Sequence, residues 1–451
     1  MGFIGTAVLR DLRTDTLEDF LAQKAFSFAL DGWASLDKKN TWVVTGWFGT
    51  TRVSGNQTAL YQIQQSYPHY FQRPDVTHVE LDENATSMAG WAGRFTLNKQ
   101  KGHFIFNAAV GAIEPGFNST DMGFQWSSDR INYHALIGYQ WWKPGKIFRY
   151  WAARLFTAQT YDFGGNKIAD QRLVFWGEAQ FLNYWYLRTM AAYGPERWSQ
   201  DLTRGGPLVR MPVSTWYDFT LSTDNRKPVV VSLHSYLTSE KSGSNISQFD
   251  IGLYWKPRKN LTLAIEPQYI FNNDVVQWVD NLDDPLMTDT YGKRHLFAEI
   301  VQKTLACSIR LDWSFNPKLS LQAYIQPFIS VGAYNGFKEL ARSRSFDFNL
   351  YGKGDSTISY KDRIYIVDPD GPGPASPFGF YNPNFNYKSL RGTVVFRWEY
   401  RPGSALYLVW TQNREDFSYP GDFDFGRSLR TLFDAPAYNI LMLKFTYQFK
   451  L

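Results

Sequence analysis

Residues that could do chemistry are present in this sequence but are not arranged for it. Six histidines, His69, His78, His103, His134, His234 and His295, are scattered along 451 residues. No His-Glu-x-x-His, Gly-x-Ser-x-Gly or phosphate-loop sequence accompanies them. The lone Cys307 excludes a disulfide framework and a thiolate metal cluster. Asp368-Pro369-Asp370-Gly371 sets carboxylates at i and i+2, a spacing that suits Ca²⁺, but no later Glu completes the loop. Asp368 and Asp370 are therefore read as turn residues, with a cation site as the lesser alternative. The acidic stretch Asp280, Asp283, Asp284 and Asp289 reads as a solvated loop, with a bound divalent ion as the lesser alternative. The expectation is a non-enzyme without a cofactor or a metal. A Ser/His esterase pair on the outer wall of the molecule is the remaining catalytic alternative.

The elements that must carry these residues are strands. Aromatic residues make up 18% of the chain and charged residues only 20%, unlike a soluble enzyme of this length. Mean hydropathy is −0.36 and no run of about 18 apolar residues occurs, so no transmembrane helix is expected. The net charge of +5 is mild and carries no dense basic run, so nucleic acid is not an expected partner. If such a chain spans a membrane, a closed β-barrel is the remaining option, because backbone polar groups in lipid must all be paired.

Period-two alternation supports that option. Leu441, Leu443, Phe445, Tyr447, Phe449 and Leu451 alternate with Met442, Lys444, Thr446, Gln448 and Lys450. Leu305, Cys307, Ile309, Leu311, Trp313 and Phe315 alternate with Ala306, Ser308, Arg310, Asp312 and Ser314. Similar runs occupy 248–255 and 393–400. The segments are longer than soluble strands of about 5 or 6 residues. Four copies of aromatic–polar–Pro, at Trp142-Lys143-Pro144, Trp255-Lys256-Pro257, Phe315-Asn316-Pro317 and Tyr400-Arg401-Pro402, stand between alternating segments. Proline marks the turn, and the preceding aromatic fits an interfacial girdle.

The fold class expected is all-β, a transmembrane antiparallel up-and-down barrel of about 18 strands filling residues 1–451 as one domain. Its strands lie near 3–12, 24–36, 40–51, 86–98, 101–113, 121–143, 146–161, 168–181, 183–195, 211–222, 227–239, 245–256, 260–273, 293–315, 318–332, 387–401, 404–414 and 437–451. Strand 293–315 is expected to project above the membrane. Short turns face the periplasm, and long loops near 52–84, 196–210, 274–292, 333–386 and 415–436 face outside. Segments 346–350 and 357–360 are expected to form a small hairpin inside the longest loop. No signal peptide precedes the first strand, so a signal and a further domain are expected upstream.

Tyr70-Phe71-Gln72-Arg73-Pro74-Asp75 and Gly90-Trp91-Ala92-Gly93-Arg94-Phe95 carry a family resemblance. So do Asn382-Pro383-Asn384-Phe385-Asn386, Ser389-Leu390-Arg391-Gly392, Arg397-Trp398-Glu399-Tyr400-Arg401-Pro402-Gly403-Ser404 and Val409-Trp410-Thr411-Gln412. Together they resemble the barrel domain of outer-membrane "carbohydrate binding family 9 domain-containing" proteins, a barrel family without an assigned function. The resemblance implies an upstream β-sandwich and, at second hand, a sugar-related role. Leu451 departs from the terminal Phe usual for outer-membrane proteins.

Function is expected in the lumen and at its mouth. Lumen-lining candidates are Asp31, Asp250, Glu266, Arg310, Asp312, Arg397, Glu399 and Lys444, whose mixed signs suggest salt-bridged walls or a partly filled lumen rather than an ion-selective ring. Tyr254, Tyr324 and Tyr407 either stack on sugars or fill space. Tyr70, Phe71, Arg73 and Asp75 are candidates for a loop folded into the lumen. Phe378, Phe380 and Tyr381 are candidates for a cover over the mouth. The reading is an outer-membrane channel or transporter for small, carbohydrate-related or other solutes. The alternative is a non-conducting anchor that holds a surface or envelope complex. Expected partners are outer-membrane lipid and lipopolysaccharide, with other envelope proteins under the anchor reading.

Overall fold

The computed structural model describes residues 1–449, so the expectations resting on Lys450 and Leu451 lie outside the described residues. The first strands are β1 (Gly2–Leu9), β2 (Lys24–Ser35), β3 (Trp42–Ser54), β4 (Ser87–Lys99), β5 (Phe104–Ile113) and β6 (Arg130–Trp141). Next come β7 (Phe148–Tyr161), β8 (Lys167–Phe181), β9 (Tyr186–Gly194), β10 (Arg197–Ser199), β11 (Val209–Met211) and β12 (Ser214–Ser222). They continue as β13 (Val229–Glu240), β14 (Asn245–Arg258), β15 (Leu261–Asp283), β16 (Lys293–Asn316), β17 (Leu319–Leu340) and β18 (Phe348–Leu350). The last are β19 (Thr357–Lys361), β20 (Ile364–Asp368), β21 (Phe378–Tyr381), β22 (Phe385–Arg401), β23 (Ser404–Ser418) and β24 (Tyr438–Thr446).

The main sheet holds 19 strands, of which β18 only extends the upper end of β17, leaving an antiparallel meander of 18. The even count and the up-and-down order agree with the sequence reading. The meander runs β1 to β9, passes to β12, runs on to β17, passes to β22 and ends at β24. Among the described residues it is not closed, because β1 pairs only with β2 and β24 only with β23.

Connections at one end are short: 36–41, 100–103, 142–147, 182–185, 223–228, 259–260, 317–318 and 402–403. The four aromatic–polar–Pro segments all lie at this end. Gly403 takes a φ of 76°, a left-handed value that glycine reaches without strain. At 36–41 the Asp37 carboxylate accepts backbone N–H groups of Lys39, Thr41 and Trp42 at 2.7–3.1 Å. Those bonds hold its carboxyl below the usual carboxylate range.

The opposite end carries the long connections and three helices that alternation does not foretell: α1 (Asp15–Phe20), α2 (Gln57–Gln65) and α3 (Phe425–Asp434). The Asn56 side chain caps α2 by accepting from Ala59 N at 2.9 Å. The helix then buries Leu60 against Ala22, Ala25, Val53 and Met88.

β15, β16 and β17 are 23, 24 and 22 residues long, so strand continues through 274–283 and 333–340, where the sequence suggests loop. Two apolar clusters cover opposite faces of their upper parts. Leu296 and Ala298 pack with Phe337, Tyr351, Val367 and Phe380, while Phe297 packs with Val209, Met211, Val276 and Leu340. This burial also dismantles the hairpin expected between 346–350 and 357–360. β18 pairs with β17, where Phe348 meets Phe297 edge to face at 5.5 Å, and β19 pairs instead with β20. Residues 121–129, expected as the start of a strand, form an irregular segment before β6, held by Gln125 bonds to Ser119 and Phe117.

One face of the sheet is apolar and exposed. It presents Phe26, Phe28 and Leu30 on β2, Phe249, Ile251 and Trp255 on β14, and Leu441, Leu443 and Phe445 on β24. Among the described residues no helix is long and apolar enough to cross a membrane.

Candidate lumenal wall and roof

The sheet is curled, because connections from distant strands meet above it. Asp75, after α2, accepts from Leu208 N at 3.0 Å and lies 3.3 Å from the Arg344 guanidinium. Asn281 at the top of β15 donates to Thr203 O at 2.9 Å. Ser343 N donates to Asp289 O. The polar face of the sheet therefore lines an interior, and these connections roof it.

The roof is pinned by buried charge. Arg73 donates to Asp129 at 2.8 Å, with side chains only 2% and 3% exposed. His78 meets the other Asp129 oxygen at 2.8 Å, and Gln200 bridges from Asp129 to Asp162. On the tall strands, Arg294 pairs with Glu339 at 2.5 Å and with Asp284 at 2.6 Å. Tyr351 donates to the same Glu339 at 2.7 Å, and burial pushes its hydroxyl pKa up. Breaking one partner of a buried pair typically costs about 3–5 kcal/mol, so these contacts hold their loops firmly. His69 and His295 are buried beside them and held neutral, and desolvation depresses each to about 4. A Cβ at position 206 would collide with the His295 ring, so glycine is needed there.

The wall beneath is polar and self-neutralising. His234 on β13 stands between two carboxylates, Asp250 at 2.6 Å from Nδ1 and Asp218 at 3.0 Å from Nε2. Arg188 on β9 reaches Asp218 at 3.3 Å, and Gln248 and Gln268 donate to Asp250 at 2.8 and 2.6 Å. This row crosses five strands, β9 and β12 to β15. On another part of the wall Arg154 pairs with Glu178 at 2.7 Å. One turn of pleat above the His234 row, Trp216 and Tyr236 face each other at 6.3 Å. They line a pocket of about 610 Å³ whose roof includes Leu202 and Met211. A second pocket, of about 350 Å³, lies below, among Ser232, His234, Asp250, Glu266 and Gln326.

The residues singled out from sequence fall into several places. Asp250 joins the His234 row. Glu266 accepts from Tyr254 Oη, Arg310 lies over Tyr324 at 5.1 Å, and Asp312 accepts from Gln322 at 3.0 Å. Arg397 pairs with Glu399 at 2.7 Å, and Arg397 and Lys444 both approach Tyr407. Asp31 is exposed within β2, opposite Gly2 at the start of β1. The three inward tyrosines thus each contact a charged side chain. Tyr70 is buried, and Phe71 packs on the cluster around Leu60. Phe380 is buried and Phe378 packs beside it on the tall strands, whereas Tyr381 is exposed. Asp368 and Asp370 accept N–H groups of their own turn, from Gly371 at 2.9 Å and Ala375 at 3.1 Å. Asp283 and Asp284 pair with Lys293 and Arg294.

Arg188, Asp218, Trp216 and Tyr236 were not singled out from sequence, and His234 was named only as one of six scattered histidines. The signal was there: Trp216, Asp218 and Thr220 alternate with Tyr217, Phe219 and Leu221, and the even set shares the face of Asp250.

The family described as a domain of unknown function (DUF5916) matches residues 34–450. No curated relative matches the sequence. Among solved structures, a mutant of the ferric enterobactin receptor from Pseudomonas aeruginosa, in complex with enterobactin, is similar at 9% identity. The match covers 95% of this chain and 71% of the receptor, with a TM-score of 0.36. A second mutant of that receptor is similar at 10% identity, covering 95% of this chain and 70% of the receptor, with a TM-score of 0.36.

Proposed function

For a chain that belongs to the DUF5916 family of unknown function, we propose an outer-membrane barrel that admits small polar solutes to a lumen roofed by its own loops. The carrying observation is the polar inner wall beneath a pinned roof. Charges of the His234 row are balanced by neighbours and the remaining wall charges are of both signs, so the wall presents hydrogen-bonding groups without the single-sign ring that selects ions. The exposed apolar face supports insertion in lipid, and the aromatics before the short turns fit a membrane interface. Long connections gather at the other end, which is then the outer surface. In lipid the free edges of β1 and β24 require partners, and their antiparallel directions allow them to pair with each other. The resemblance to barrels of carbohydrate-binding family 9 domain-containing proteins adds carbohydrate-related compounds to the solutes considered.

The rival reading, a non-conducting anchor, is favoured by the buried ion pairs of the roof, which suit a fixed cap. Planar-bilayer recording on the purified chain separates the two. Discrete current steps, enlarged when Asp129→Ala releases the roof, are expected for solute passage. No current in either form overturns passage and leaves the anchor.

A further inference from the structure

We infer that the pocket between Trp216, Tyr236 and the roof binds a neutral polyhydroxylated solute of disaccharide size; this rests on the solute-passage reading above. The volume of about 610 Å³ falls within the usual range for small-ligand sites of roughly 300–1,000 Å³. Its aromatic pair is tilted by 40°, so two ring faces are offered at an angle rather than stacked shut on each other. Such faces receive the C–H surfaces of a sugar ring. Buried Trp N–H and Tyr O–H groups usually find partners. Among the described residues, neither Trp216 Nε1 nor Tyr236 Oη bonds to another protein group, although both side chains are half-buried. They remain available to ligand hydroxyls.

The rest of the lining fits the same chemistry. The Asn272 side chain adds an amide with both donors and acceptors. Asp274 uses one carboxylate oxygen for Val276 N at 2.9 Å and keeps capacity on the other. The other charged members are paired. Arg197 lies 3.5 Å from Glu240, and Asp170 is held by Lys167 at 3.0 Å and Arg172 at 2.7 Å. An anionic ligand would meet no uncompensated positive charge and a cationic one only the Asp274 carboxylate, whereas a neutral polyol would meet rings, an amide and carboxylate oxygens together. An apolar ligand would leave the carboxylates and the amide unpaired at a cost of about 1–3 kcal/mol each.

The test is isothermal titration of the full chain in lauryldimethylamine oxide, a sugar-free detergent, with maltose and cellobiose as ligands and glutamate and arginine as charged comparators. Saturable heat with at least one disaccharide and none with the charged pair is expected. Trp216→Ala should weaken binding by about tenfold or more, and Trp216→Phe, which keeps a ring, should restore most of it. Heat-modifiable migration on a gel verifies that each variant is folded. Absence of disaccharide binding to the wild type, or equal binding by folded Trp216→Ala, overturns the inference. Bilayer recording on the same preparation keeps the two readings apart. Current without sugar binding overturns only the ligand class. Sugar binding without current supports the pocket and overturns passage.

Discussion

Arg73 and Asp129 meet at 2.8 Å inside the roof, although 56 residues separate them in sequence. One side chain comes from the connection after α2 and the other from the residue preceding β6. Their pairing fixes two loops with one contact, and His78, Gln200 and the Phe163 N–H add further bonds to the carboxylate. Asp129→Ala would strand a buried guanidinium, a loss of about 3–5 kcal/mol for the roof. Hydrogen exchange should accelerate across 66–80 and 114–129 while the strands stay protected. Unchanged exchange in these loops would refute the pinning role.

The roof should also weaken in acid. His69 and His295 have folded-state values near 4, below the ordinary 6.5, because burial penalises their charged forms. Between pH 6.5 and 4 the opened state binds protons that the closed state refuses. Stability from these groups is therefore full above 6.5, falls as pH drops to about 4, and levels off below. Limited proteolysis of the loops across this range should show the loss, and His69→Asn should flatten it. A wild-type profile flat from pH 7 to 4 would count against the assignment.

Strand register gives a third expectation. Phe396 lies between Leu321 and Leu408 on the apolar face, whereas Thr393 faces inward with its hydroxyl 3.3 Å from that of Thr411. Phe396→Arg should impair insertion by about 2–4 kcal/mol if the residue sits near midplane, and Thr393→Arg should be tolerated. Equal yields of both variants in outer-membrane fractions would show that the faces are misassigned.

Cys307 pairs in register with Pro267 and belongs to the apolar set with Leu305 and Ile309. In membranes it should react slowly with charged, water-soluble maleimides and quickly with a lipid-soluble one. Rapid labelling by the charged reagent would place the thiol in water instead.

Closure of the seam is open to cross-linking. Thr6 faces inward, where its hydroxyl meets Ser27 Oγ at 2.6 Å, and Lys444 lies inward over Tyr407. In a Cys307→Ser background, Thr6→Cys should form a disulfide with Ile440→Cys, Met442→Cys or Lys444→Cys, one of which will match the register. Failure of all three in native membranes would mean that β1 and β24 do not pair directly.

The sequence by itself determined an up-and-down meander of about 18 strands and, within each alternating run, which residues share a face. Those properties are local: a period of two assigns Asp250 and Phe249 to opposite sides without reference to any partner, and proline marks Trp255-Lys256-Pro257 as the last part of a strand before a turn. Only the tertiary structure decided which charges meet. Asp250 was legible as an inward residue, but its pairing with His234 depends on the register between β13 and β14, which no single strand encodes. Arg73 was legible as a residue of a loop folded inward, yet Asp129 could be chosen as its partner only once the sheet had curled and brought two distant loops together. The extra height of β15 and β17 was hidden for the same reason. Their upper residues remain in strand because β16 pairs with them and loops bury both faces, and such stabilisation from elsewhere in the chain leaves little mark on local pattern.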